Sequence, residues 1–174
     1  MLLRLIVKSY LHQIYQRYTD YVEPFGLDEC WLDVTDSTRF FGSGEKIANE
    51  IRETVKRELG LTVSVGVSFN KIFAKLGSDM KKPDAVTCIG RDEFKEKIWR
   101  LPAADLLGVG RSTAKRLESV GIITIGDLAR ADAAFLRKIL GKCGADLWVY
   151  ANGLDSSRVK HYDLAIPAKS IGHG

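Results

Sequence analysis

Cysteine and histidine are scarce in this chain of 174 residues, and their scarcity narrows its chemistry. The three cysteines, Cys30, Cys88 and Cys143, lie far apart in apolar surroundings and form no CxxC pair. An odd, scattered set excludes a disulfide framework and reads as buried thiols in a reducing, cytoplasmic setting. His12, His161 and His173 have no zinc-ligand spacing, so any bound metal must be held by carboxylates. Four prolines and 16 glycines are too few for a fibrous or low-complexity protein. No apolar run approaches the roughly 20 residues that span a bilayer. The opening Met1–Val7 stretch is interrupted by Arg4 and ended by Lys8, with no small-residue cleavage site after it. Neither a signal peptide nor a membrane partner is expected. No serine or cysteine has a histidine nearby in sequence, and no GxxxxGK[ST] phosphate loop occurs, so nothing points to nucleophilic catalysis.

Hydrophobic residues make up 45% of the chain, enough for one large domain or two small ones. At this length roughly 70% of the unfolded surface can be buried without help from metal or disulfides. The net charge is only +4, but it is unevenly placed. Residues 1–89 hold 12 Lys/Arg against 12 Asp/Glu, whereas residues 90–174 hold 14 against 10. A neutral front and a basic back suggest two units, the second facing a polyanion.

Hydrophobic spacing predicts an amphipathic helix over 3–19, broken by Pro24 and Gly26, and then a strand over 27–35. Residues 36–44 read as a loop whose Phe40 and Phe41 tuck into a core. A helix over 45–59 follows, ended by Gly60 as a left-handed cap. Alternating Val63, Val65 and Val67 mark a strand over 62–68. Asn70 caps a helix over 71–80, with Ile72, Phe73, Leu76 and Met80 as its apolar stripe. A strand over 85–89 and a helix over 91–100 complete this part. From 103 to 153 only short helices punctuated by glycines remain, and the polar, irregular tail after 154 reads as a linker. The expected class is α+β: a piece of a sandwich with strand–helix–strand–helix–strand order, then a compact all-helical unit.

Three constellations carry chemistry. Adjacent Asp28 and Glu29 begin the strand after Gly26. On a regular strand they would point to opposite faces, so they reach one cation only where the backbone bends. Such a pair is either a solvated strand edge or two ligands for a hard cation such as Mg2+. Asp33, further along, reads as structural. The second constellation is the run from Ser68 to Pro83, with Lys71, Lys75 and Lys82 on one face of its helix. It is either an ordinary amphipathic helix with a wet basic face or a place for phosphate groups. The third is Leu107-Gly108-Val109-Gly110-Arg111, followed by Ala114, Lys115, Arg116 and Leu117. In a helix–hairpin–helix, such glycines let backbone amides approach a DNA phosphate, while Arg111, Lys115 and Arg116 add charge. A plain capped helix pair is the alternative. A looser copy spans Leu136–Gly144.

Taken together, these residues resemble the Y-family translesion DNA polymerases of the DinB type. Tyr18–Pro24 leading into Leu27–Thr35 is similar to the catalytic palm segment of that family. Val65–Lys71 through Lys82-Pro83 is similar to its next signature. Gly108–Gly110 with Thr124–Leu128 resembles its thumb, and Lys169–Gly172 its linker to the last domain. The resemblance implies a partial palm of ferredoxin-like βαβ type over residues 1–100, a helix–hairpin–helix thumb over 101–160, and over 161–174 a linker toward an absent little-finger domain. It implies template-directed synthesis past damaged bases with two Mg2+ ions. Asp28 and Glu29 would be catalytic metal ligands, Lys82 would bind the triphosphate, and Gly108, Val109, Gly110, Arg111 and Lys115 would bind DNA. The implied partners are primer–template DNA, deoxynucleoside triphosphates and, through regions outside this chain, a sliding clamp.

The family's first metal aspartate and its fingers have no counterpart in this sequence, and Gly26 stands where the family usually has serine. The chain is therefore expected to be a palm-plus-thumb fragment, inactive alone but able to bind duplex DNA without sequence preference. The alternative is a non-catalytic helix–hairpin–helix DNA-binding module, which would need neither Asp28 and Glu29 nor Lys82.

Overall fold

The computed structural model describes residues 10–26 and 28–164, so the start of the first expected helix and the segment 169–172 lie outside it. The chain divides into two units, one made of residues up to Val63 together with those from Arg158 onward, the other of Ser64–Ser157.

In the first unit, the helical residues 10–16 (α1) bury Ile14, and the helix gives way to a turn at Arg17 and Tyr18, short of the expected residue 19. A strand that the sequence reading missed follows, β1 (Val22–Phe25). It pairs antiparallel with β2 (Glu29–Leu32), placing Pro24 opposite Cys30. Proline signalled a break, but among the described residues β1 pairs with β2 alone, and a strand unpaired on one side tolerates a residue with no N–H to donate. β2 is shorter than the expected 27–35. Asp33 ends the extended run by accepting from the Thr35 backbone N–H at 3.0 Å and the Thr35 hydroxyl at 2.6 Å.

The expected loop over 36–44 contains a short helix, α2 (Thr38–Phe41). Phe41 packs into the core and meets the Tyr18 ring at 5.1 Å, but Phe40 is 85% exposed, correcting the expectation for that ring. Neighbouring helical residues point about 100° apart, so one face cannot take both rings. Helix α3 (Gly44–Leu59) forms as expected, capped by Ser43 and closed by Gly60 at φ +64°. Its Ile47, Ile51 and Val55 form a core with Ile14, against which Leu32 and Val34 pack.

The second unit opens with a parallel βαβ element: β3 (Val65–Ser68), α4 (Lys71–Met80) and β4 (Val86–Ile89). Asn70 caps α4 as expected, accepting from the Phe73 N–H at 2.8 Å. The helix lies directly on β3 because Gly66 has no side chain. A Cβ there would sit 1.8 Å from the Ala74 carbonyl oxygen and 2.6 Å from the Ser78 nitrogen. Met80 does not join the apolar stripe, since it is partly exposed in the last turn. Helix α5 (Phe94–Ile98) is shorter than the expected 91–100.

After a 3-10 turn at Ala103–Asp105 come α6 (Arg111–Glu118), α7 (Ile125–Arg130), α8 (Ala133–Leu140) and α9 (Lys142–Ala151), with no strand among them. The α+β class and the all-helical second part hold. One core joins Ile72, Phe73 and Leu76 to Ile98, Leu117, Leu128, Leu136 and Leu147. Each such side chain, fully buried, contributes about 1.5–3 kcal/mol. Around residue 100 the packing is continuous. The Trp99 indole N–H donates to the Ala151 carbonyl at 3.2 Å, and the Ile125 N–H to the Leu101 carbonyl at 2.9 Å.

Two further expectations need correction. Cys143 is exposed and Cys30 and Cys88 are only half-buried, because an apolar neighbourhood in sequence does not place a side chain on the inner face of its element. The tail is not wholly irregular either. Lys160 donates its N–H to the Glu23 carboxylate at 2.8 Å, and a 3-10 turn forms at Tyr162–Leu164.

Candidate carboxylate site and nucleic-acid interface

The β1–β2 hairpin decides what Asp28 and Glu29 present. Gly26, at φ +64°, bends the chain in the left-handed region, where glycine is favoured. Asp28 lies exposed in the turn, before the alternation of β2 begins, and Glu29 is the first residue of the strand. Register opposes Glu29 to Phe25 and Trp31 to Glu23, so these four share one face. Phe25 and Trp31 stack across it with ring centroids 4.5 Å apart. The other face carries Val22, fully buried, and Leu32, packed on the α3 core. Glu29 is thus held on the side of the hairpin turned away from that core. Asp33 takes no part, since its carboxylate is engaged with Thr35.

Two adjacent carboxylates at a bend are hard oxygen donors that suit Mg2+, which binds one or two carboxylates and completes its shell with water and phosphate. Among the described residues no third His, Cys, Asp or Glu gathers with such a pair.

In the second unit, Lys82 follows Lys81, the extended residue that ends α4, and its ammonium sits 2.7 Å from Asp79 Oδ1. Lys75 reaches the other oxygen of the same carboxylate, Oδ2, at 2.6 Å. Partial burial pushes the Asp79 carboxyl up, but the hydrogen bonds from Lys75 and Lys82 outweigh it and leave the group below its ordinary range. The expected face of Lys71, Lys75 and Lys82 is therefore not a free basic surface: the Lys75 side chain is only 17% exposed and Lys82 lies beyond the helix. Asp79 was missed in the sequence reading. Its signal was there in the Lys75/Asp79/Lys82 spacing of four and three, which joins charges on adjacent helical turns.

The hairpin before α6 has the form the sequence predicts. Gly108 takes φ +92°, and Val109 donates its N–H to the Leu106 carbonyl at 3.0 Å. Gly110 is the N-cap of α6, with no side-chain cap for the first-turn amides, and a Cβ on it would meet nothing within 4 Å. Arg111 and Lys115, four residues apart on α6, and Arg116 are all exposed, whereas Leu117 is fully buried. The turn after α6 leads to Thr124, which caps α7 in a reciprocal pair with Asp127. In the looser copy, Gly141 at φ +67° joins α8 to α9, and a Cβ on Gly144 would lie 2.1 Å from the Leu136 carbonyl oxygen. Gly144 therefore serves helix packing.

Residues 6–79 match the impB/mucB/samB family, and residues 104–155 match the thumb domain of DNA polymerase-iota. A mixed α+β region followed by a helix–hairpin–helix thumb is the architecture of a polymerase palm and thumb. The chain is 64% identical over 165 residues to a DNA polymerase IV of Acetivibrio thermocellus, covering 95% of this chain and 41% of that protein. It is 40% identical over 166 residues to a DNA polymerase IV of Pasteurella multocida, covering 95% and 46%. Among solved structures, a DinB family error-prone DNA polymerase from Sulfolobus solfataricus superposes with a TM-score of 0.81 at 29% identity, covering 90% of this chain and 47% of that one. An insertion ternary complex of Dbh DNA polymerase gives 0.79 at 29% identity, covering 89% and 46%. The chain belongs to the Y-family DNA polymerases of the DinB type, as a palm-and-thumb portion. It spans less than half the length of these relatives.

Proposed function

We propose that this chain is the palm and thumb of an enzyme that copies DNA past damaged bases by nucleotidyl transfer. The observation that carries this is the carboxylate hairpin: Asp28 in the turn and Glu29 beside it on the face away from the core, in the segment matching the palm of the family. Asp28 and Glu29 would hold Mg2+, two ions in the complete enzyme. Bound Mg2+ supplies activation of the primer 3′-oxygen and charge neutralisation on the leaving pyrophosphate. Lys82 donates hydrogen bonds to the triphosphate of an incoming deoxynucleotide. Gly108, Val109 and Gly110 present backbone amides to a primer–template phosphate, with Arg111 and Lys115 adding charge. These contacts grip the backbone without reading sequence.

In functional terms the palm runs over residues 1–100 and the thumb over 101–160, with 161–174 leading toward a little finger. The family resemblance assigns a third metal carboxylate and the fingers to segments that this sequence does not match. Synthesis therefore needs more than these 174 residues, while duplex binding does not. A sliding clamp would engage the longer protein, at a cytoplasmic location. Among the described residues no helix is long and apolar enough to cross a membrane.

Paramagnetic Mn2+ tests the metal assignment. Millimolar Mn2+ should broaden the amide signals around Gly26, Asp28 and Glu29, and the paired substitutions Asp28→Ala and Glu29→Ala should abolish that broadening. Identical broadening in the doubly substituted chain removes the basis for the metal site.

A further inference from the structure

Lys82 faces a mechanical difficulty as a phosphate ligand. It carries a flexible four-carbon stem, it is more than half exposed, and it stands two residues past the end of α4. Nothing in its own backbone fixes where the ammonium lies. Asp79 is different. It sits in the last turn of a helix that is clamped against β3, because Gly66 brings the Ala74 carbonyl and the Ser78 nitrogen into direct contact with the strand. Gly77 adds to the clamp: a Cβ there would lie 3.2 Å from the Gly66 Cα and 3.3 Å from the Thr87 carbonyl oxygen. The Asp79 carboxylate is therefore a rigidly mounted acceptor with one oxygen for each of two ammonium groups, Lys82 at 2.7 Å and Lys75 at 2.6 Å. Lys75, being mostly buried, anchors the inner oxygen and turns the outer one toward Lys82.

We infer that Asp79 is a positioning residue, whose carboxylate, braced by Lys75, holds the Lys82 ammonium in place for the phosphate chain of a nucleoside triphosphate. The inference rests on the proposed assignment of Lys82 to the triphosphate. An ammonium has three N–H donors. One goes to Asp79, and two remain for phosphate oxygens. Within the Lys75–Asp79–Lys82 cluster, two ammonium groups meet one carboxylate.

The arrangement makes a prediction opposite in sign to simple electrostatics. Removing the Asp79 charge adds one positive unit beside Lys82, which by attraction alone should tighten the binding of an anion. If Asp79 orients Lys82, binding weakens instead. The test is a titration of the chain with inorganic tripolyphosphate at low salt, read at the side-chain nitrogen of Lys82 by 15N NMR. Backbone amides of residues 81 and 84 serve as the readout in Lys82→Ala. Asp79→Asn should weaken binding about threefold, the scale of an exposed ion pair. Asp79→Glu should recover part of that loss. In a Lys82→Ala background, Asp79→Asn should produce no further weakening, which separates positioning from a general loss of folding. Unchanged or tighter binding by Asp79→Asn overturns the positioning role while leaving Lys82 as a ligand. If Lys82→Ala binds as well as the wild type, or the Lys82 signal never responds, the triphosphate assignment itself falls, and the role of Asp79 with it.

Discussion

Replacing Gly110 with valine isolates the thumb hairpin from the rest of the molecule. Gly110 lies at φ −79° and ψ 173°, a conformation open to any L-residue, and a Cβ there meets no atom within 4 Å. The substitution should therefore cost little folding stability, at most about 1 kcal/mol for a poorer helix N-cap. A branched side chain at that point stands in front of the uncapped first-turn amides of α6, where a phosphate would otherwise approach. Losing one charge-assisted backbone contact to phosphate is worth about 1.5–3 kcal/mol, so duplex affinity should fall about tenfold or more. The salt dependence should hardly change. Arg111, Lys115 and Arg116 remain exposed on α6, and three neutralised phosphates give a log–log slope of about −2.7. Fluorescence anisotropy of a labelled primer–template across a salt series measures both quantities, with a thermal melt as the folding control. A folded Gly110→Val chain that binds duplex as tightly as the wild type refutes the hairpin as a phosphate site. Absence of binding by the wild type at low salt would mean that the thumb grips DNA only with help from outside this chain.

Gly66→Ala should be far more damaging, since its Cβ would overlap the Ala74 carbonyl at 1.8 Å and only backbone movement relieves it. We expect a loss of at least about 3 kcal/mol in urea unfolding, and a loss under about 1 kcal/mol would contradict the close packing of α4 on β3. Asp127 should show a pH-linked contribution. Backbone and hydroxyl hydrogen bonds from Thr124 hold its carboxyl below the ordinary carboxylate range. Its stabilisation is therefore complete above about pH 4, the unfolded-state value, and is lost as pH falls through the lower folded-state pKa. Asp127→Ala should cost about 0.3–1.5 kcal/mol at neutral pH and bring the variant and wild-type stabilities together in strong acid. A difference that persists unchanged at low pH would assign the effect to packing.

Local rules carried the reading furthest where one element satisfied them alone. The helices starting at Gly44 and Lys71 were legible because Ile47, Ile51 and Val55 keep a steady spacing ended by Gly60 and because Asn70 supplies a cap that acts within one turn, and the all-helical region after residue 103 was legible from its glycine punctuation. Strand β1 was not, because Pro24 forbids a strand only where its missing N–H would be needed, and pairing decides that. Phe40 and Phe41 are identical in kind and differ only in which way α2 turns them. The three lysines looked like one basic face because charge is visible in sequence, whereas the pairing of one Asp79 carboxylate with both Lys75 and Lys82 depends on how the helix end and the chain beyond it fold.

The amino-acid order was enough for the class, for the succession of palm and thumb segments, and for the residue types available for chemistry. Adjacent acids, hairpin glycines and periodic apolar positions are local chemical facts that need no partner to be read. The tertiary structure alone decided which side of the hairpin Glu29 shares with Phe25 and Trp31, and how α4 closes on β3 through Gly66. It also decided that one core runs on both sides of residue 100, taking in Ile98 before it and Leu101 and Ala103 after it. Those outcomes depend on contacts between residues distant in the chain, whose free energies no single segment carries.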